Sequence, residues 1–159
     1  MIKTADLSDQ HEGKVKIAVP LFKAFGQKNS FYGEIATVKV FEDNVLVRAM
    51  LETKVKKKVL VVDGGGSLRF ALLGDNLAKL AIDNGWEGII IYGCIRDSAD
   101  IDTMDIGVKA LNTVPVKSKK NGVGETNITV TFASVTFKPG EFVYADEDGV
   151  LVSETNLLS

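Results

Sequence analysis

The sequence predicts a mixed α/β fold, and three observations carry the prediction. Two continuous apolar runs, Val59-Leu-Val-Val-Asp63 and Gly88-Ile-Ile-Ile-Tyr-Gly93, have the length and composition of strands covered on both faces. Between them, Leu77, Leu80, Ala81 and Ile82 recur at helical spacing. After Asp105 that spacing gives way to short β-rich runs broken by turn residues. Strands and helices do not alternate as a regular βαβ repeat, so a doubly wound sheet is not expected.

Taken in order, Ile35 to Phe41 is β-rich and half alternating, the pattern of a strand with one face buried. Asn44 is placed to cap a helix that runs to about Leu51. The strand at Val59–Asp63 runs into Gly64-Gly65-Gly66. Asp75 or Asn76 starts the next helix, and Gly85 stops it. The second buried strand follows at Gly88–Gly93. Ile106 to Asn112, Val114-Pro-Val116, Ile128 to Phe137 and Phe142 to Ala145 then read as strands. Glu147-Asp148-Gly149, between the last of these and Val150–Val152, is a hairpin signal.

Composition narrows the function. The 159 residues are expected to form a single domain over residues 1–159. With 45% hydrophobic and 25% charged residues the chain has enough apolar surface to build a core, which excludes a disordered chain. Lys plus Arg is 19 and Asp plus Glu is 21, a net charge of −2, which argues against a dedicated nucleic-acid binder. The lone cysteine, Cys94, allows no internal disulfide, and the first ten residues hold no signal-peptide apolar run, so a reducing cytoplasm is expected. The longest strongly apolar stretch, Gly88 to Ile95, is far shorter than the roughly 20 residues of a membrane span. One histidine and one cysteine cannot assemble a histidine-rich or all-cysteine zinc site or a dithiol centre. A Ser-His-Asp triad would depend on His11, in a polar N-terminal segment.

Three segments are candidate sites. Gly64-Gly65-Gly66 follows a strand, but a dinucleotide fingerprint needs glycine where Arg69 stands, and no Gly-Lys-Ser/Thr triplet exists. A tight turn or close backbone approach is the plainer reading, with a loop bordering a ligand pocket as the alternative. Leu73-Gly74-Asp75-Asn76-Leu77 opens a helix, where unpaired N–H groups and the positive end of the dipole can receive a small carboxylate. Capping by Asp75 or Asn76 is the structural alternative. Arg96-Asp97-Ser98-Ala99-Asp100 follows a buried strand, where α/β sheets gather ligands. Arg96 is suited to grip a carboxylate, and a neighbouring aspartate can hold a hard divalent cation. The alternative is an Arg–Asp surface pair at a helix start. The basic runs Lys54–Lys58 and Lys117–Lys120 read as solvated turns, Cys94 as a small buried hydrophobe and Trp86 as a packing residue.

Asp75, twenty intervening residues, Arg96-Asp97, two residues and Asp100 together resemble the signature of the RraA-like family. That family holds regulators of ribonuclease E activity and class II 4-hydroxy-4-methyl-2-oxoglutarate aldolases. Pro20-Leu-Phe22, Val61-Val-Asp-Gly-Gly-Gly-Ser67, Gly85-Trp-Glu-Gly88, Gly122-Val-Gly-Glu125 and Tyr144-Ala-Asp-Glu-Asp-Gly-Val150 are also similar to family segments. The resemblance implies an α/β sandwich of the swivelling β/β/α type, assembled as a homotrimer. It implies a lyase that releases two pyruvates from 4-hydroxy-4-methyl-2-oxoglutarate and also decarboxylates oxaloacetate. Asp97 would bind the divalent metal (Mg2+ or Mn2+), and Arg96 the keto and carboxylate oxygens. The backbone of Gly74, Asp75, Asn76 and Leu77 would hold the pyruvyl carboxylate, and Asp75 and Asp100 would orient metal-bound waters. Set against the larger aldolases of that family, the 159 residues are expected to lack their C-terminal extension. The second function implied is inhibition of ribonuclease E by protein contact. A methyltransferase acting on menaquinone precursors, an older label in the family, finds no Gly-rich nucleoside loop of the usual pattern here.

Overall fold

In the computed structural model, which describes residues 1–158, the two apolar runs lie at the centre of one large sheet. Ser159, the last residue of the expected 1–159 domain, lies outside the described residues. The first apolar run is β4 (Lys58–Asp63) and the second lies inside β6 (Trp86–Ile95). They pair in parallel, flanked by β3 (Phe31–Lys39) and β7 (Gly107–Thr113). These four parallel strands stand in chain order, β3-β4-β6-β7. Right-handed crossovers that always step the same way put every connecting helix on one face. That is where α2 (Val45–Leu51), α3 (Asp75–Asp83) and α4 (Ser98–Ile101) lie. With no reversal of strand order there is no doubly wound sheet, as the sequence indicates.

Burial follows the two-residue period of the strands. Leu60, Val62, Ile89 and Ile91 face the helices and pack with Val47, Leu51, Ala78, Ala81 and Ile101. Val59, Val61 and Ile90 face the other way and meet a second β layer. That layer includes the hairpin of β9 (Val130–Phe132) and β10 (Val135–Phe137), whose Phe132 and Phe137 rings stack at 4.6 Å. It also draws on β11 (Phe142–Asp146) and β12 (Gly149–Ser153), which extend the sheet beyond β3 and contribute Val143, Ala145, Val150 and Val152. The layers are thus β, β and α, the expected fold class. Each fully buried aliphatic side chain stabilises the fold by roughly 1.5–3 kcal/mol.

The β11–β12 hairpin is tied down by polar contacts. Lys109 Nζ, on β7, donates to the Asp146 carbonyl at 2.7 Å, and burial pushes its ammonium pKa down against the pull of Asp146 and Glu147. Thr4, at the start of α1 (Thr4–Gln10), donates its N–H and hydroxyl to the Asp146 carboxylate at 2.7 and 2.6 Å. Burial raises that carboxyl's pKa, but the bonds from Thr4 and from the Asp148 N–H outweigh it and hold the group below its ordinary value.

Several elements differ from the sequence reading. Val114-Pro-Val116 is not a strand; the Val114 N–H bonds the Ile95 carbonyl (2.9 Å), the Ala71 N–H bonds the Val116 carbonyl (2.7 Å), and Lys117 forms an isolated bridge with Ala71. Ile128–Phe137 is not one strand. It folds back at Ala133 and Ser134, both at positive φ (51° and 62°), the backbone pattern of a two-residue hairpin turn. The first parallel strand starts at Phe31 and leaves Phe41 outside it. The short elements α1, β1 (Val15–Ile17), β2 (Lys23–Phe25), β5 (Ala71–Leu73) and β8 (Glu125–Thr126) had no sequence signal. Among the described residues, no helix is long and apolar enough to cross a membrane.

Candidate active site

The short strand β5 creates the site. It pairs in parallel with the end of β6, Ala71 opposite Cys94 and Leu73 opposite Ile95. The Arg96 N–H extends the pairing by donating to the Leu73 carbonyl at 2.9 Å. The residues after β5 and those after β6 therefore leave the sheet side by side, although twenty positions separate Asp75 from Arg96. Both lie at the carboxyl edge of the parallel strands.

Asp97 sits in the left-handed region (φ 58°, ψ 37°) and begins α4, whose Ile101 N–H bonds the Asp97 carbonyl at 2.9 Å. This turn points the carboxylate at α3, where Oδ2 accepts the Asp75 N–H at 3.0 Å. The Asn76 N–H is taken by Asp75 Oδ1 at 2.8 Å. The helix start expected to receive a substrate carboxylate thus already holds two carboxylate oxygens of the protein, drawn there by the same unpaired donors and dipole. Gly74 makes the approach possible, because a Cβ there would lie 2.8 Å from Asp97 Oδ2. The Arg96 guanidinium, half-buried beside them, has no ion pair and no side-chain hydrogen bond among the described residues. The surface pair of Arg96 with an adjacent aspartate is accordingly not formed.

These groups line one side of a cleft of about 250 Å3. Across it stand Asn44 and Arg48 from α2 and its cap, and Lys117, Ser118 and Lys120 from the segment after β7. Asn44 is buried, donates Nδ2 to the Leu72 carbonyl at 3.2 Å and accepts the Lys120 ammonium on Oδ1. Buried Ser118 donates its hydroxyl to the Ala71 carbonyl at 2.6 Å. Asp43, also buried, ties this segment to α2 by accepting the N–H groups of Asn121 (2.8 Å), Val123 (3.4 Å) and Val45 (3.1 Å). Burial alone would raise its pKa, but these bonds outweigh burial and hold it below the ordinary value.

The structure brings Gly74, Asp75, Asn76, Leu77, Arg96 and Asp97 to the cleft. Asp100 is not among the cleft residues. It lies exposed on α4, where its carbonyl accepts the Thr103 N–H (3.0 Å) and hydroxyl (2.7 Å). Gly64-Gly65-Gly66 does not border the cleft either. Its backbone presses against Tyr92, and a Cβ on Gly64 would lie 2.6 Å from Leu72 Cδ1, so close approach is its role. Trp86 is buried and donates Nε1 to the Thr53 carbonyl at 3.2 Å; Cys94 is buried and its thiol pKa is raised by burial. The reading of Lys117–Lys120 as a solvated turn misses its part in the site. Nothing in its composition signals this, because pairing around Ala71 is what brings it to the cleft.

The cleft residues include four cations, Arg48, Arg96, Lys117 and Lys120, against the two carboxylates of Asp75 and Asp97. A small, mostly positive cleft at a helix start and the carboxyl edge of a sheet has the charge to attract a small organic anion. A sequence model of the Aldolase/RraA family matches residues 4–152, and the chain belongs to this RraA-like family.

A protein of Dechloromonas aromatica, provisionally named a 4-hydroxy-4-methyl-2-oxoglutarate aldolase, is 59% identical over 95% of both chains. One of Aromatoleum aromaticum with the same provisional name is 58% identical over 98% of both. Among solved structures, one from Geobacillus kaustophilus, described as an S-adenosylmethionine:2-dimethylmenaquinone methyltransferase, superposes with a TM-score of 0.97 at 54% identity, covering 99% of this chain and 98% of that one. The RNA-processing inhibitor RraA of Thermus thermophilis superposes at 0.94 with 42% identity, covering 100% and 98%.

Proposed function

We propose that the protein is a divalent-metal-dependent lyase that cleaves 4-hydroxy-4-methyl-2-oxoglutarate into two pyruvates and, through the same enolate, decarboxylates oxaloacetate. The observation that carries the reading is the half-buried Arg96 guanidinium, unpaired among the described residues, beside a helix start that already attracts carboxylates.

Asp97 fits a metal ligand. Its carboxylate is exposed, and only Oδ2 is hydrogen-bonded among the described residues. No group of three or more His, Cys, Asp or Glu side chains suited to a metal occurs among those residues. The Asp97 and Asp75 carboxylates at the cleft are the one or two protein ligands that a hard cation such as Mg2+ or Mn2+, keeping most of its waters, takes. Asp75 would orient those waters. Such a cation supplies Lewis-acid polarisation of the keto oxygen.

Arg96 binds the 2-oxo acid by its carboxylate and keto oxygen, and its charge stabilises the negative charge that grows on that oxygen as the bond breaks. The first turn of α3 adds dipole stabilisation at the same end of the substrate. The proton leaving the 4-hydroxyl passes to a solvent water oriented by Asp75. The C3–C4 bond then breaks, its electron pair forms the enolate of one pyruvate, and the second pyruvate leaves as the ketone. Protonation of that enolate at C3 completes the cycle. Oxaloacetate reaches the same enolate by losing carbon dioxide.

A coupled pyruvate assay on purified protein with both substrates, with and without chelator, tests the reading. Release that chelator stops and Mg2+ restores is expected; no release from either substrate refutes it. A homotrimer in the cytoplasm belongs to the same reading, and gel filtration with light scattering tests the trimer.

The relative described as an RNA-processing inhibitor favours a second, compatible role, inhibition of ribonuclease E by protein contact. Pull-down with ribonuclease E and an RNA-cleavage assay test it, and no binding at micromolar concentration overturns it. A methyltransferase role has less support, since the Gly64–Gly66 loop is packed against Tyr92 and Leu72 and offers no nucleoside cradle.

A further inference from the structure

We infer that Arg48 and Lys117 form a second anion subsite in the same cleft, which takes the far carboxylate of a 2-oxo dicarboxylate and so decides substrate choice. The inference rests on the oxo-acid reading of the cleft and assigns residues which that reading leaves without a role.

One carboxylate and a keto oxygen use only the near wall, Arg96 and the start of α3. A substrate with nothing more to bind would need no charge across the cleft. Yet three cations stand on the far wall, and one of them is already engaged. Lys120 points its ammonium at Asn44 Oδ1, and Asn44 is in turn bonded to the Leu72 carbonyl, so this pair frames the wall. The charges of Arg48 and Lys117 are uncommitted. The Arg48 contact with Glu52 is 3.9 Å long between side chains 59% and 56% exposed, too long for a hydrogen bond and of the kind that contributes little. Lys117 has no ion pair and no side-chain hydrogen bond among the described residues.

Both residues ride on a fixed frame. Arg48 lies one turn into α2, and its N–H bonds the Asn44 carbonyl at 3.0 Å. Lys117 bridges to Ala71, and the next residue, Ser118, is 4% exposed and bonded to the same strand residue at 2.6 Å. The buried Asp43 carboxylate joins the two elements. The backbone that carries the far wall is therefore fixed to β5, and through β5 to the end of β6, around a cleft of about 250 Å3. That is slightly below the roughly 300–1,000 Å3 of pockets for drug-sized ligands, a size suited to a short dianion. With Arg96 on one carboxylate and Arg48 and Lys117 on the other, only an acid charged at both ends satisfies both walls.

Calorimetric titration in Mg2+ separates the two walls, with pyruvate probing the near wall alone and 2-oxoglutarate probing both. A charge-assisted hydrogen bond to a carboxylate corresponds to about tenfold to a hundredfold in affinity. The double variant Arg48→Gln, Lys117→Gln is expected to weaken 2-oxoglutarate by about that factor and pyruvate by less than about threefold. In turnover the same variant is expected to raise KM for 4-hydroxy-4-methyl-2-oxoglutarate while kcat changes little. Equal weakening of both acids, or no weakening of 2-oxoglutarate, overturns the subsite. If the native protein releases no pyruvate but still loses 2-oxoglutarate selectively in the variant, the lyase reading fails and the subsite stands. If the native protein binds neither acid, both fail.

Discussion

Gly74→Ala is the sharpest test of the cleft, because it adds one methyl group at the point where α3 and the end of β6 touch. Gly74 has φ −129° and ψ −169°, an extended conformation that any residue adopts, so the substitution brings no backbone strain. What it brings is contact: the new Cβ would lie 2.8 Å from Asp97 Oδ2 and 3.6 Å from Arg96 Cγ. The second distance is an ordinary contact. The first requires the carboxylate to retreat by about 0.6 Å to reach ordinary spacing. A retreat of that size takes the 3.0 Å bond to the Asp75 N–H out of hydrogen-bond range. Losing a hydrogen bond to a charged group corresponds to about 1.5–3 kcal/mol, or roughly tenfold to 150-fold. Misplacement of a catalytic group by about 1 Å has a similar cost, about a hundredfold. Pyruvate release by Gly74→Ala is therefore expected to fall about 10- to 100-fold in kcat/KM. The thermal midpoint should move by less than about 4 °C, since Asp97 is exposed and the core is untouched. Full activity in this variant, in a crystal structure that shows Asp97 still bonded to Asp75, would refute the assigned geometry.

Arg96→Ala and Asp97→Ala are each expected to lower pyruvate release at least about a hundredfold with circular dichroism unchanged; undiminished turnover after metal removal and Mg2+ readdition discards the site. Lys109 provides a pH test. Its folded pKa lies below the ordinary 10.5, because burial, the larger effect, opposes Asp146 and Glu147. The unfolded chain therefore binds more protons between the two values, and stability attributable to Lys109 rises with pH up to about 10.5 and is flat beyond. Urea midpoints of the native protein should gain on those of Lys109→Met as pH climbs toward that value; a constant difference counts against a charged, buried Lys109. Asp146 has the same sign in an acid window, its folded pKa lying below 3.8. Its contribution is present above 3.8 and lost as pH falls through the folded value, so Asp146→Asn should destabilise at neutral pH and match the native protein in strong acid. Ile90→Ala, at a fully buried position facing the second β layer, is expected to cost about 2–5 kcal/mol in chemical denaturation, and a loss below about 1 kcal/mol would contradict that packing.

The central strands and α3 were legible because burial on both faces leaves no polar position in Val59–Val62 of β4 or in the middle of β6, and burial on one face leaves the helical stripe of Leu77, Leu80, Ala81 and Ile82 packed against the core. The hairpin around Glu147-Asp148 was legible from its turn residues. The fold between Val130 and Phe137 was not, since Ala133 and Ser134 are not residues that favour positive φ, and packing of Phe132 and Phe137 imposes the turn.

The candidate site divides along the same line. The chain alone supplies the spacing of Asp75, Arg96 and Asp97 and the helix start before which Gly74 stands. Only the tertiary structure seats Asp97 Oδ2 on the Asp75 N–H, through the three-residue β5, too short to carry a periodic signal of its own. Only the tertiary structure, too, turns a polar run at Lys117–Lys120 into the wall opposite Arg96. Local sequence reports which residues must leave water. Which distant residues then meet is decided by strand pairing, here at Ala71, which binds β6 on one side and the Val116–Ser118 segment on the other.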